Sequence, residues 1–244
     1  MKNTPKISVC MATYNGALFL REQLDSILLQ LGTSDEIIVV DDGSSDTTIS
    51  ILEGYKDTRI CIFLNPKNLG AVRTFERAIM LSTGDHIFLS DQDDVWLPGR
   101  VAHMGQVLQQ PNVALVVSNY DEIDQAGNPV FRTVQLPQLT DTTATSATNK
   151  RLSIMLGKMN YFGCAMAFTR AFAQQATPFP RRTECHDIWL AILAIRFGGI
   201  AHLPEPTLAR RLHGSNLSLR KRALWKKLRT RLNFCWLFFA AQVR

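Results

Sequence analysis

Short apolar runs and segments of helical spacing alternate along the first half of the chain. Lys6–Ala12, Glu36–Asp41, Arg59–Leu64, His86–Ser90 and Val113–Ser118 are runs rich in Ile and Val, of a length suited to buried strands. Between them, Leu18–Gln30, Asp46–Tyr55, Ala71–Leu81 and Pro98–Gln109 carry helical periodicity. In the first of these, Leu20, Leu24, Ile27, Leu28 and Leu31 share one helical face. Strand followed by helix, repeated, predicts an α/β fold with a mixed, mostly parallel sheet flanked by helices. After Asn119 the pattern weakens. Gln125-Ala126-Gly127-Asn128-Pro129 predicts a hairpin turn, and residues 120–150, with Thr140, Thr142, Thr143, Thr145 and Thr148, read as an irregular excursion. Cys164–Thr169 then reads as a strand, and Asp187–Phe197 as a helix ended by Gly198-Gly199.

Charge divides the chain differently. The net charge is +6, but ten Lys/Arg and no acid fall between Arg210 and Arg244. Residues 1–209 hold 17 Lys/Arg against 21 Asp/Glu, so a mildly acidic body carries a basic tail. An acidic body with no recognition motif argues against nucleic acid as a partner. The five cysteines are scattered without CxxC spacing, which excludes a disulfide framework and a cysteine zinc site and points to a reducing compartment. No signal peptide or apolar run of membrane-spanning length stands out, so the expected location is cytoplasmic.

In parallel sheets ligands bind where the loops leave the C-terminal strand ends. Those loops here are Thr13-Tyr14-Asn15-Gly16, Asp41–Asp46, Asn65–Gly70 and Asp91–Trp96. Asp41, Asp42, Asp91, Asp93 and Asp94 would crowd one cleft, and such repulsion is commonly relieved by a divalent cation. Asp46 reads as a helix N-cap, whereas Asp94, close to Pro98, is open between a helix start and a site role. Asp91-x-Asp93 directly after a buried strand has no packing reason to exist, which favours function. Trp96 and Trp189 each follow an acidic motif, as packing residues or as sugar platforms. His86, His103 and His202 have no partner pattern and read as structural.

Ile7–Gly16, Val39–Asp46 and Leu89–Trp96 resemble glycosyltransferase family 2, inverting enzymes with the GT-A nucleotide-sugar-binding fold. The resemblance resumes at Gly163–Phe168, His186-Asp187-Ile188-Trp189 and Arg211–Asn216, and the Ser-Asp-Gln-Asp-Asp-Val-Trp version is similar to bacterial rhamnosyl- and galactosyltransferases of surface polysaccharide synthesis. It implies a catalytic domain over residues 1–217, with a nucleotide-binding half (1–119) and an acceptor-side half (120–217). Its expected chemistry is metal-dependent transfer of a hexose or deoxyhexose from a UDP- or dTDP-sugar to a glycan or lipid-linked acceptor. On this reading Thr13, Tyr14 and Asn15 line the base pocket and Asp42 accepts from the pyrimidine N3–H. Arg73 approaches a phosphate, Asp91 contacts ribose or metal-bound water, and Asp93 and His213 hold Mg²⁺ or Mn²⁺. Asp187 is the general base, with capping of its own helix as the alternative. The role of His186 stays open. A non-catalytic sugar-nucleotide scaffold, or a sugar-nucleotide-forming nucleotidyltransferase, are the rivals. The first has no need of Asp187, and the second lacks its Gly-rich, Lys-bearing loop.

Residues 218–244 predict a basic amphipathic helix. Leu224, Trp225, Leu228, Leu232, Trp236 and Phe239 form one stripe, with most cations off it. Such a helix suits the anionic inner surface of the cell membrane. Packing on the body or on a second subunit is the alternative.

Overall fold

The computed structural model describes residues 4–131, 154, 161–214 and 224–243. Eight strands form one sheet: β1 (Ile7–Thr13), β2 (Glu36–Asp41), β3 (Ile60–Leu64), β4 (His86–Ser90), β5 (Val95–Trp96), β6 (Leu115–Ile123), β7 (Met166–Thr169) and β8 (Ile200–Arg211). Their order is β3-β2-β1-β4-β7-β6-β8-β5. The helices are α1 (Leu20–Leu28), α2 (Thr48–Gly54), α3 (Ala71–Leu81), α4 (Arg100–Leu108), α5 (Arg170–Ala176), α6 (His186–Ala194) and α7 (Leu224–Gln242).

β1 and β4 read as unbroken apolar runs because both of their faces are buried between helices. β3, β2, β1 and β4 are parallel neighbours, with Thr13 beside Asp41 and Met11 beside Ser90. The loops after β1, β2 and β4 therefore leave the same sheet edge. β7 runs antiparallel between β4 and β6, so one continuous sheet crosses the boundary proposed at residue 119.

Four elements depart from the sequence expectation. β6 continues to Ile123 through Asn119, Tyr120, Asp121 and Glu122, polar positions that conceal a strand although only Asp121 among them is exposed. The expected hairpin turn follows it: Asp124 N–H donates to the Asn128 carbonyl at 2.8 Å, and Gly127 has φ 88°. β8 escaped the apolar pattern because it contains Pro204, Glu205 and Pro206; these fall where its register with β6 shifts, a bulge that tolerates proline. β5 is only two residues long and exists through its pairing with β8, Val95 opposite Ala209. α5 is started by the Thr169 side chain, whose hydroxyl accepts from Phe172 N–H.

The tail helix α7 docks on α6. Leu237 is fully buried, with Asn233 and Ala241 one turn to each side. Asn233 Nδ2 donates to the Arg182 carbonyl at 2.8 Å, Arg196 Nη1 donates to the Ala241 carbonyl at 2.7 Å, and Arg182 lies over the Trp236 ring at 5.6 Å. Over the described side chains the buried stripe is thus 233-237-241, rotated from the predicted one, and Phe239 is 65% exposed. No described helix is long and apolar enough to cross a membrane. The Thr-rich patch Thr140–Thr148, the cations Arg220-Lys221-Arg222, and the side chains of Leu224, Trp225, Leu228 and Leu232 lie outside the described residues.

Candidate active site

The loop after β1 is strapped to its neighbours on both sides. Tyr14 N–H donates to Gln92 Oε1 (2.9 Å) while Gln92 Nε2 returns a bond to the Tyr14 carbonyl (3.1 Å). Asn15, at φ 49°, accepts from Ser45 N–H through Oδ1 (2.8 Å), and its own N–H donates to Ser44 Oγ. Gly16 leaves room for the Gln92 side chain, whose amide would have to move if a Cβ stood there. Thr13 is buried and its hydroxyl donates inward to Asp41 Oδ2 at 2.8 Å, so it shapes the loop rather than lining a pocket. Tyr14, by contrast, is 50% exposed.

Asp41 and Asp42 both serve the loops. Asp41 accepts from the N–H groups of Gly43 and Ser44. Asp42 accepts from Asn65 Nδ2 (2.7 Å), Leu69 N–H (2.8 Å) and Gly70 N–H (2.8 Å). Three of the roughly four acceptor positions of the Asp42 carboxylate are taken by the chain itself, which holds the Asn68-Leu69-Gly70 loop against β2. The N-cap of α2 is Thr47, one residue later than expected, and Asp46 just before it accepts from Thr48 N–H. Arg73 does not face the cleft. Its guanidinium donates to Glu76 Oε2 (2.7 Å) and to the carbonyls of Phe179 and Pro180. The phosphate contact expected of it is thereby corrected: a half-buried helical arginine found acceptors on the opposing loop.

The acidic loop after β4 meets the end of β8. His213 Nε2 lies 2.7 Å from Asp93 Oδ2, with the imidazole against the Phe19 ring. Asp94 does not start α4, which begins at Arg100 after a left-handed Gly99; its Oδ1 accepts from Arg211 N–H at 3.0 Å. The two consecutive arginines divide their work. Arg211 is a buried strut whose guanidinium donates to the carbonyls of Asp93, Asp124 and Gln125 and pairs with Glu22 at 2.6 Å. Arg210 sits 4.4 Å from the Phe162 ring centroid and 3.7 Å from Glu122, and its charge bears on Asp91 and Asp94.

Burial, then the charges of Asp94 and Asp93, push the Asp91 carboxyl well above its usual range; Arg210 opposes this and Asp187 adds to it. Burial likewise raises Asp94, to about 6, with the Asp93 charge second. The charge of Asp187, in the first turn of α6, bears on Asp91. Asp187 Oδ1 also accepts from Ile188 N–H at 2.8 Å. His186 packs on Phe75 with ring centroids 4.4 Å apart, its Nε2 under Gly163, where a Cβ would collide with it. Burial lowers its pKa. Both tryptophans pack. Trp189 Nε1 donates to the Ala176 carbonyl, and Trp96 lies under the buried Arg100 at 4.7 Å. His202 accepts or donates a bond with Tyr161 OH at 2.9 Å, in keeping with a structural role.

The structure thus joins Asp93 directly to His213, and the charges of Asp94, Asp93 and Asp187 all bear on Asp91. Carboxylates suit Mg²⁺ or Mn²⁺, and Asp94 Oδ2 is buried without a geometrically sound hydrogen-bond partner among the described residues. Gln92, Cys164 and the pairing of Arg211 with Glu22 were missed from the sequence, which offered Arg210 and Arg211 as phosphate contacts or as the start of the basic tail. Only Gln92 carried a signal, by its place inside Asp-x-Asp.

Comparison with known proteins agrees with this geometry. The profile of "Glycosyl transferase family 2" matches residues 8–175. An uncharacterized glycosyltransferase of Nostoc is 31% identical over 220 residues, 86% of this chain and 66% of its own length. A putative colanic acid biosynthesis glycosyl transferase, WcaA of Escherichia coli, is 38% identical over 104 residues, covering 42% of this chain and 37% of that protein. The chain spans about a third or less of the length of two Rickettsia relatives that it matches. Among solved structures, Staphylococcus aureus TarS 1-349 in complex with UDP-GlcNAc superposes with TM-score 0.71 at 16% identity, over 94% of this chain and 66% of that one. The mannosyltransferase PcManGT of Pyrobaculum calidifontis, in complex with GDP-Man and Mn²⁺, gives 0.64 at 17% identity, over 99% and 74%. These likenesses establish the shared fold, and the profile match over most of its length places the chain in glycosyl transferase family 2.

Proposed function

We propose that the chain is a metal-dependent inverting glycosyltransferase, moving a hexose or deoxyhexose from a UDP- or dTDP-sugar to a glycan or lipid-linked acceptor of surface polysaccharide. The observation that carries the reading is the convergence of Asp93 with His213 at 2.7 Å, in a cleft that the charge of Asp187 also reaches. The nucleotide sugars named with TarS and PcManGT, and the Mn²⁺ of the latter, support a donor of this class. The relation to a putative colanic acid enzyme supports a polysaccharide product.

In this mechanism the base stacks near the exposed Tyr14, beside the Asn15 loop, with the fourth acceptor position of Asp42 turned to its N3–H. Asp93 and His213 would hold Mg²⁺ or Mn²⁺, with Asp91 beside the ribose or the bound ion. A bound ion would supply Lewis-acid stabilisation of the departing nucleoside diphosphate, and Arg210 would add a second positive charge. Asp187 takes the proton of the acceptor hydroxyl as that oxygen bonds to the anomeric carbon. The bond to the diphosphate breaks on the opposite face, so configuration inverts. Residues 218–244 serve as a peripheral contact with an anionic membrane surface where a lipid-linked acceptor would be met. Phe239 and Val243, exposed on the docked helix, are the described apolar residues available for it.

The test is a panel of UDP- and dTDP-sugars with Mg²⁺ or Mn²⁺, read as nucleoside diphosphate release and product configuration. Turnover of one donor with inversion is expected. A chain that neither binds nor turns over any of them sinks the proposal.

A further inference from the structure

Below the Asp93–His213 pair a different set of ligating atoms converges. One carboxylate oxygen each from Asp91 and Asp94 and the sulfur of Cys164 lie within 4.8 Å of one another. Asp94 and Cys164 are each 2% exposed, whereas Asp91 is half-buried, so the group opens toward the cleft through Asp91. Neither Asp94 nor Cys164 has a part in the transfer mechanism above.

The surroundings hold these two residues in place from behind. Arg100, buried, donates through Nη2 to the Cys164 carbonyl at 2.6 Å and through Nη1 to Thr207 Oγ1 at 2.6 Å. Arg211 N–H occupies Asp94 Oδ1, while Oδ2 is buried outside good hydrogen-bond geometry, with the weakly donating Cys164 thiol as the group that bears on the carboxylate. A buried carboxylate oxygen without a strong donor is costly. The cations that bear on it are Arg210 and Arg100, but Arg100 is tied to Thr207 and Cys164 and Arg210 is engaged with Glu122 and Phe162.

We propose that Asp91, Asp94 and Cys164 form a cation site with a thiolate ligand, selective for borderline and soft divalent ions (Co²⁺, Zn²⁺, Cd²⁺) over Mg²⁺. Two carboxylates and a sulfur favour such ions, because thiolate is a soft ligand and Mg²⁺ demands hard oxygen donors. On binding, the thiol S–H bond is replaced by a metal–sulfur bond and the proton leaves to solvent. An ion there would neutralise the cleft floor and fix the orientation of Asp91. The site shares Asp91 with the donor site proposed above but neither Asp93 nor His213, so the two can fail separately.

The probe is Co²⁺, titrated into the full chain without nucleotide and read as the near-ultraviolet sulfur-to-cobalt charge-transfer band. A saturable band is expected in the wild type and in His213→Ala, and its loss in Cys164→Ser and in Asp94→Asn, with Cd²⁺ affinity falling at least about tenfold in both. Circular dichroism checks the fold, and if Cys164→Ser misfolds, Asp94→Asn decides. Absence of the band in the wild type, or its survival in Cys164→Ser through another cysteine, overturns the site. Absence of the band alongside normal Mn²⁺-supported transfer would remove this site and leave the proposed function standing. A normal band without turnover of any donor would do the reverse.

Discussion

His213 Nε2 and Asp93 Oδ2 are 2.7 Å apart although 120 residues separate them in the chain. Their partnership depends on β5 and β8, which pair Val95 with Ala209 and so bring the residues just before one strand beside those just after the other. Each can hold the other's polar atom in the absence of an ion, and each offers a ligand atom in its presence. Asp93→Ala should abolish metal-supported transfer, and His213→Ala should weaken Mn²⁺ binding by about 10- to 100-fold, measured by Mn²⁺ paramagnetic resonance. Unchanged Mn²⁺ affinity in both variants would remove the pair from the metal site.

Asp187 is tested by separating binding from chemistry. Asp187→Asn keeps an Oδ1 acceptor for Ile188 N–H, so the start of α6 should survive. Donor binding by calorimetry should stay near wild type while kcat falls about 10²- to 10⁴-fold, the usual worth of a general base. A near-normal rate would return Asp187 to a capping role.

Arg211 is expected to matter for stability. Removing it leaves the carbonyls of Asp93, Asp124 and Gln125 short of a donor and Glu22 unpaired. Arg211→Ala should cost about 3 kcal/mol in urea unfolding, and Arg211→Lys somewhat less, because lysine keeps the charge but not the planar fork. A loss below about 0.5 kcal/mol, the range of an ordinary surface substitution, would contradict the strut.

His186 makes folding pH-dependent. Burial lowers its folded pKa below the ordinary 6.5, with the Asp187 charge acting weakly the other way. Between that lowered value and 6.5 the unfolded chain binds more protons than the folded one, so the contribution is complete above 6.5 and is lost as pH falls below it. Urea unfolding from pH 7.5 to 5 should show a steeper loss for wild type than for His186→Gln. Parallel curves would mean that the imidazole is not buried neutral.

The tail yields a paired prediction. Leu237→Ala should destabilise the protein by about 2–4 kcal/mol, as a fully buried leucine does. Phe239→Ser should leave stability unchanged while reducing sedimentation with anionic vesicles. Unaltered sedimentation in Phe239→Ser would detach the membrane role from the described face of α7.

β1, β2 and β4, and the edge on which their loops gather, were legible because parallel, doubly buried strands are written as plain apolar runs, and β3, half-buried at the side of the sheet, is apolar as well. In the second half of the sheet β7 and the start of β6 were legible, but β8 and β5 were not. β8 hides behind two prolines and a glutamate, and β5 is defined by its partner rather than by any pattern of its own. The roles of Asp93 and Asp94 differ for the same reason: adjacent in sequence, one meets His213 and the other the Arg211 backbone, and nothing local distinguishes them. Arg73 was misread because an arginine beside a nucleotide loop looks alike whether its partners are phosphate oxygens or the carbonyls of Phe179 and Pro180. The tail stripe rotated because Leu237 met α6, a contact that helical periodicity alone does not contain.

The two-residue clasp between Val95-Trp96 and Leu208-Ala209 has a temporal consequence. A ribosome that has delivered only the first two hundred residues has already made every aspartate of the cleft, yet it carries neither the strand that aligns them nor the histidine that completes them. On the function proposed above, competence to grip a pyrophosphate would therefore arrive late and abruptly in synthesis, and a chain truncated shortly before Leu208 should be blind to its donor however well its first four strands have formed.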